Sequence, residues 1–311
     1  MKFFKTCTLF AVIILLGSCN SSEEKNGLQK ISNKKAASKI VEPRTVSEEF
    51  KDYWYSGTAE ITSYSLMQER YGEIREGTAV NIFVTEDFLP DAQVKANNAS
   101  DENISVLKLN QMKSFNTGIY PYSIMTSTFS PISIKEHPLK ITNSVQEWCG
   151  QVYMQLNNRN DFEIESHSYF QDEADQKLSL PITYLENEIW NLIRINPEEL
   201  PTGDIMIIPS FEYLRLRHKE IKQHNAFASL KQGDSITIYT VNYPTLQRQL
   251  MLFFNSTFPY EIEKWEEVNA ADQNDTLRLK TTATKLKRIK SDYWTKNKNE
   301  HFGLRDSLDL K

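Results

Sequence analysis

Beyond residue 50 the chain shows short runs rich in Val, Ile, Thr, Tyr and Phe, bounded by Asn, Asp, Gly and Pro, in which polar and apolar positions tend to alternate. These runs predict strands over 79–85, 106–112, 123–129, 144–156, 162–170, 205–216, 236–243, 249–254 and 277–282. One segment has a different period. Leu185, Ile189, Leu192 and Ile193 form an i, i+4, i+7, i+8 stripe, Thr183 and Glu186 have capping-box spacing, and Asn196-Pro197 closes the run. The expected fold is mainly β, a curved antiparallel sheet or half-barrel packed on one amphipathic helix at about 183–195.

One hairpin can be placed in register from the pattern. Trp148, Val152, Met154 and Leu156 share one phase of a strand, and Phe162, Ile164 and Phe170 share one phase of the next. Setting Trp148 opposite Phe170, Met154 opposite Ile164 and Leu156 opposite Phe162 leaves Asn158-Arg159-Asn160 as a three-residue loop. A two-residue loop would carry Glu163, Glu165 and His167 to the tryptophan face and bury charge. The opposite face then gathers Glu147, Cys149, Gln151 and Tyr153 against Glu165, His167 and Tyr169.

At 311 residues the chain is long enough to bury a core without disulfide or metal staples. Its 40% hydrophobic and 25% charged residues argue against wholesale disorder and against a polytopic membrane protein. A formal charge of -5 does not suit a dedicated nucleic-acid binder.

The amino terminus says where the chain goes. Lys2 and Lys5 precede an apolar run from Thr8 to Leu16, the layout of a secretory signal, and the run is too short to cross a hydrocarbon core. Leu16-Gly17-Ser18-Cys19 resembles the lipobox of bacterial lipoproteins, which implies cleavage before Cys19 and acylation of that residue. Several acyl chains on one residue hold a protein stably on a membrane, where a single chain does so only marginally. Cys7 leaves with the signal and Cys19 carries lipid, so Cys149 remains alone and no intramolecular disulfide forms. The expected organisation is a signal peptide at 1–18, a flexible polar tether at 19–45, a single β-rich domain at 46–295 and a polar tail at 296–311. The acidic cluster Glu23-Glu24 behind Cys19, with Asn20 rather than aspartate after it, favours the outer membrane and leaves periplasm and cell surface open.

Candidate chemistry is sparse. Cys149 lies diagonal to His167 in the expected register, at roughly 7–8 Å, and with Glu165 could form a thiol hydrolase; a solvated sheet face is the plainer reading, because no oxyanion donors are identifiable. Arg278, Lys280, Lys285, Lys287, Arg288 and Lys290 form a run without an acid among them. It suits contact with anionic lipid head groups or glycans, or an edge strand guarded by lysine against pairing. Tyr53-Trp54-Tyr55, Tyr120-Pro121-Tyr122, Phe253-Phe254 and Phe258-Pro259-Tyr260 could line a glycan or lipid cleft and more simply serve as packing. Gly72 and Gly77 have phosphate-loop spacing, but Glu73 and Glu76 lie between them and Thr78 stands where a lysine is required. Asp272, Asn274 and Thr276 make half a calcium loop. His137, His167, His218, His224 and His301 have no zinc spacing. No metal or nucleotide cofactor has positive support.

The signal, the segments Tyr53-Trp54-Tyr55-Ser56-Gly57 and Glu60-Ile61-Thr62-Ser63-Tyr64, the stretch from Phe115 to Tyr122, and Val145-Gln146-Glu147-Trp148-Cys149-Gly150 resemble a family of uncharacterised bacterial outer-membrane lipoproteins. Some of its members carry the label septum formation inhibitor Maf. True Maf proteins are small α/β nucleotide pyrophosphatases, and neither their amino-terminal Ser/Arg loop nor an α/β alternation is present here. The resemblance implies a lipoprotein and assigns no catalytic residue. The function expected is nonenzymatic, the binding of a lipid, glycan or protein by a membrane-anchored envelope protein, with the hydrolase around Cys149, His167 and Glu165 as the alternative.

Overall fold

A computed structural model describes residues 42–269 and 279–310. The signal, Cys19, most of the tether, Arg278 and the half calcium loop lie outside the described residues. The strands are β1 (Ala59–Arg70), β2 (Glu73–Leu89), β3 (Val94–Lys95), β4 (Ile104–Thr117), β5 (Tyr120–Pro131), β6 (Lys140–Glu147), β7 (Gly150–Asn158) and β8 (Phe162–Ser168), followed by β9 (Gln176–Leu180), β10 (Tyr184–Leu185), β11 (Gly203–Ile208), β12 (His224–Lys231), β13 (Ile236–Tyr243), β14 (Arg248–Asn255), β15 (Ile262–Val268) and β16 (Lys280–Ser291). Helix α1 (Glu48–Trp54) precedes them, α2 (Glu186–Ile195) follows β10, and α3 (Phe211–Leu216) follows β11. The chain is mainly β, and its strands join one large open sheet in the order β10-β11-β12-β13-β14-β15-β16-β1-β2-β4-β5-β6-β7-β8-β9, with β3 against β2. Every pairing is antiparallel except β10 with β11.

Three expectations need correction. The run 144–156 is two strands: β6 and β7 pair Glu147 with Gly150 across the turn Trp148-Cys149, and Trp148 is 68% exposed. The buried phase passes from odd positions (Ile141, Val145) to even ones (Val152, Met154, Leu156) across that turn. The β7–β8 pairing has the expected faces but lies two residues away, with Leu156 opposite Ile164 and Asn158 opposite Phe162. Asn158 belongs to the strand because its amide donates to Leu139 O and its carbonyl accepts from Gln93. The run 205–216 is a strand and then a helix, broken at Pro209; Ser210 Oγ caps α3 by accepting from Tyr213 N at 3.3 Å.

Helix α2 begins three residues beyond Thr183. Its cap is Leu185, whose amide donates to Glu188 Oε1 at 2.9 Å, while Thr183 bonds Met206 O. The stripe Leu185, Ile189, Leu192 and Ile193 is buried as expected, and so is every other residue of the helix. Its polar groups reach the sheet. Arg194 forms a two-bond ion pair with Glu60 of β1 at 2.5 and 2.7 Å, and Glu186 forms one with Arg248 of β14. Asn191 donates to Leu107 O of β4 at 2.7 Å. The helix's apolar side joins a core with Tyr64, Phe83, Leu109, Tyr239, Leu252 and Trp265.

Burial works against the Glu60 charge, but the Arg194 guanidinium beside it overrides that and holds the carboxyl below the usual glutamate value of 4.5. A carboxyl depressed by folding contributes stability in full above the unfolded value and loses it as pH falls through the folded one. We expect wild type to lose near-UV circular dichroism only below that unfolded value, and Glu60→Gln to flatten the acid limb. Arg194→Ala takes from a buried carboxylate its two-bond partner, leaving the Tyr53 hydroxyl and Arg288 at 3.6 Å, and should cost about 3 kcal/mol in urea unfolding, whereas Glu60→Leu with Arg194→Met should recover most of the loss.

Candidate functional site

The central strands are apolar on both faces. One face of β1, β2 and β4 carries Tyr64, Leu66, Ala79, Phe83, Leu107 and Leu109 into the main core. The other carries a second row. Ile289, Ile61 and Ile82 stand side by side across β16, β1 and β2, Val80 stands opposite Met112, and Thr78 opposite Ser114. Strands apolar on both sides need cover on both.

The second cover is the carboxy-terminal segment. After β16 the chain turns through a short 3-10 helix (Tyr293–Thr295) and runs as a ten-residue 3-10 segment over Asn299–Leu308. Leu308 is buried against Ala59, Ile61, Ile82 and Val84, with Leu310 and Tyr293 packed beside it. Within the stretch 296–311, expected as a polar tail, the described residues therefore supply part of a second core: the leucines at 308 and 310 pack on the sheet face, while Leu304 stays exposed at the rim of the space between.

The cover is incomplete, and a cleft of about 460 Å³ opens between segment and sheet. Its floor is Ile61, Val80, Ile82, Met112 and Ile289; its hydroxyls are those of Thr78, Ser114, Ser291 and Tyr293; its wall brings Lys296, His301 and Arg305. Among the described residues no carboxylate lines it. His301 Nδ1 accepts from Lys298 N at 3.3 Å, so the ring's hydrogen sits on Nε2 in the neutral form. Lys296 lies 3.3 Å from Asp292, whose carboxyl is held low by the Thr295 hydroxyl and then by Lys296. An apolar floor beside cationic groups suits an acyl chain with an anionic head. Its volume falls within the ordinary range for small-ligand sites, roughly 300–1,000 Å³.

A second cleft, of about 320 Å³, is lined by Arg44, His137, Tyr184, Glu188 and Glu199 among others. Within it Arg44 is bonded to Glu199 at 2.8 Å and His137 to Glu188 at 2.9 Å, while Lys135, also in its lining, pairs with Glu42. A histidine and carboxylate face it, and among the described residues no serine, threonine or cysteine lines it.

The residues singled out as a thiol site are not brought together. Cys149 sits exposed in the β6–β7 turn, its amide donating to Glu147 at 2.6 Å. His167 stands opposite Tyr153 and lies 3.3 Å from Asp175, and Glu165 binds Lys177 at 2.9 Å. Hydrogen bonding to the Glu147 carboxylate, and its charge, push the Cys149 thiol above the usual value, away from the thiolate a nucleophile needs.

The basic run lies on an interior strand, not an edge: β16 pairs with both β15 and β1. Its charges meet acids of the neighbouring strands. Lys280 binds Glu266 at 2.8 Å, Lys285 binds Glu261 and Glu263 at 2.7 and 2.6 Å, and Arg288 pairs with Glu261. Lys290 reaches Ser56 at 3.1 Å and lies over the Tyr53 ring, and Lys287 is exposed. The aromatic groups divide: Trp54 is fully buried and Phe258 packs on Tyr53, while Tyr120 lies near the exposed Trp148. Gly77 is a strand residue whose absent Cβ would fall 2.3 Å from Ser114 O, so β2 and β4 require glycine there.

Among the described residues no cluster of His, Cys, Asp or Glu is arranged to hold a metal, and no helix is long and apolar enough to cross a membrane. Comparison with protein-family models, curated proteins and solved structures finds no match.

If Glu147 holds the Cys149 thiol up, Glu147→Gln should raise its alkylation rate at neutral pH severalfold, and His167→Ala should leave that rate unchanged; both are read by reaction with iodoacetamide.

Proposed function

We propose that this chain is a lipid-anchored protein of the bacterial envelope, held to the outer membrane through Cys19, that binds the acyl chain of an anionic amphiphile without catalysis. The observation that carries this reading is the cleft over β16, β1, β2 and β4. Its floor is aliphatic, its wall contributes Lys296, His301 and Arg305, and among the described residues no acid lines it. Each methylene moved from water onto such a floor is worth about 0.8 kcal/mol, so chain length supplies affinity and the cationic wall supplies preference for an anionic head.

In the same reading the open sheet curves as a half-barrel about α2. Ion pairs from the two ends of the helix to β14 and β1, and the Asn191 bond to β4, support that curvature, since the three side chains fan over an arc of roughly 140° at 3.6 residues per turn and each meets a different strand. Anchoring at Cys19 is supported by the charged, apolar and small-residue order of the amino terminus and by the lipobox resemblance.

The test is titration of detergent-released, full-length protein with a fluorescent fatty acid. Saturable one-to-one binding is expected. Ile82→Trp, which fills the floor, should weaken it at least tenfold. Reversing charge in Lys296→Glu with Arg305→Glu should weaken the fatty acid about tenfold, ~1.4 kcal/mol, and leave the neutral alcohol of the same length nearly unchanged. Absence of saturable binding, or equal binding by Ile82→Trp, defeats the proposal.

A further inference from the structure

Antiparallel connectivity places successive hairpin turns at alternate ends of a sheet. The register pairs Gly77 with Phe115, Ser123 with Gln146 and Val152 with Ser168. The turns Tyr71-Gly72, Gly118-Ile119 and Trp148-Cys149, and the end of β8 at Ser168-Tyr169, therefore share one end. Tyr71 and Gly72 both take positive φ, as a tight two-residue hairpin requires, and Gly118 does so in the next.

Large hydrophobic side chains are exposed at this end. Ile119 is 84% exposed, Tyr169 70%, Trp148 68% and Tyr71 54%, four of the five most exposed large hydrophobics among the described residues. They form a ribbon. Tyr71 Oη and Tyr122 Oη are 2.9 Å apart, the Tyr120 ring lies 6.0 Å from Tyr122 and 6.4 Å from Trp148, and Tyr169 lies across Gly150, where a Cβ would meet its ring at 2.7 Å. Guanidinium groups back both ends, Arg70 at 4.0 Å from the Tyr71 ring centroid and Arg215 at 4.1 Å from that of Phe170.

Tyr122 is buried and Tyr120 half-buried, so they join the exposed side chains from beneath, and exposed apolar groups gathered at one end of a sheet mark an interaction surface. Its composition selects the partner. Tyr and Trp present an apolar ring and a polar atom together, the pairing favoured where hydrocarbon meets water, and Ile119 at the crest has no polar atom to offer a sugar. The rings are not coplanar as a sugar platform would need: Tyr120 and Trp148 are inclined by 33°, Tyr169 and Phe170 by 84°.

Chain length permits the contact. Pro43 bridges Ile134, just past the end of β5 remote from the tips. β2 has 17 residues, a span of roughly 56 Å. The 23 residues from 20 to 42 reach at most roughly 80 Å, longer than the body. An anchor at Cys19 thus allows the tips to meet a bilayer.

We propose that the hairpin-tip ribbon of Tyr71, Tyr120, Trp148 and Tyr169, with Ile119 at its crest, inserts into the interfacial layer of a phospholipid bilayer. This surface is separate from the acyl cleft and stands or falls independently of it.

The test uses the full chain reconstituted in vesicles whose phospholipids carry bromine on the acyl chains, with Trp148 emission taken as the difference between wild type and Trp148→Phe. Quenching of that difference signal at least twofold relative to unbrominated vesicles is expected, with Ile119→Asp and Ile119→Ser each reducing it by half or more. Circular dichroism of all three variants should match wild type, since the altered side chains are exposed. Absence of quenching with full access to aqueous iodide overturns the proposal. So does a Trp148 signal that responds to added envelope glycan and not to brominated lipid, which assigns the ribbon to sugars. Undiminished quenching in both Ile119 variants overturns it too, because proximity would then come from the tether alone.

Discussion

Two ion pairs sealed away from water fix how the rest of this protein can be arranged. Glu186 stands at the first residue of α2 and Arg194 in its last turn, and each is bound by two hydrogen bonds to a buried partner on the sheet. Their placement agrees with the helix dipole, which favours an acid at the amino end and a base at the carboxyl end. The pairs are not a simple source of stability, because taking four charges out of water costs several kcal/mol each and their attraction must first offset that. Their effect is on geometry. A helix with every residue buried could slide by a turn on a purely apolar bed; here a slide would take their helix partners from Glu60 and Arg248, both nearly inaccessible, and leave Glu60 with Tyr53 and the more distant Arg288, and Arg248 with Glu267. Tyr53, Tyr243 and Arg288 complete the two clusters, which binds α1 and β16 to the same constraint.

Committing one sheet face to α2 has a consequence for the other. The strands that hold the helix, β1, β2 and β4, use both phases of their sequence for apolar side chains, so Ile61, Val80, Ile82 and Met112 must be covered from outside. The carboxy-terminal segment does this with few residues. Only Leu308 is fully buried within it, while most of its neighbours are exposed, and its ten residues of 3-10 geometry exceed the three or four usual for that form. A thin cover over a long aliphatic row leaves space, and that space is the cleft.

How much of this could be read from the chain depends on which signals are local. Alternation located β2, β4, β5, β8, β13 and β14, and the stripe from Leu185 to Ile193 located α2. The partners of Glu186 and Arg194 were invisible, since Arg248 lies 62 residues and Glu60 134 residues away. The Trp148-Cys149 turn has no glycine, proline or asparagine at its centre, and only the shift of the buried phase from Val145 to Val152 betrays it. The break at Pro209-Ser210 was legible from the cap and was overridden by the apolar run around it. Grouping Cys149 with His167 failed for the same reason as the hairpin register: a displacement of two residues keeps the faces right and moves every cross-strand neighbour. The basic run was read without its acids because Glu261, Glu263 and Glu266 belong to a different strand. Leu304, Leu308 and Leu310 were visible in the last residues, but their meaning depends on a sheet face whose second apolar phase no single strand reveals.

The cleft is apolar in its middle rows and carries hydroxyls toward both ends of the strands. Ile289, Ile61 and Ile82 form one row and Val80 with Met112 the next; Thr78 and Ser114 follow on the side of the hairpin tips, and Ser291, opposite Ala59, follows on the other. Charge separates the two ends. Lys296, which lies 3.3 Å from Asp292 just past Ser291, belongs to the end remote from the tips. In the proposed binding mode an anionic head drawn to Lys296 would therefore rest at that end, and its methylenes would lie over Ile289, Ile61 and Ile82 and then Val80 and Met112, pointing toward the tips.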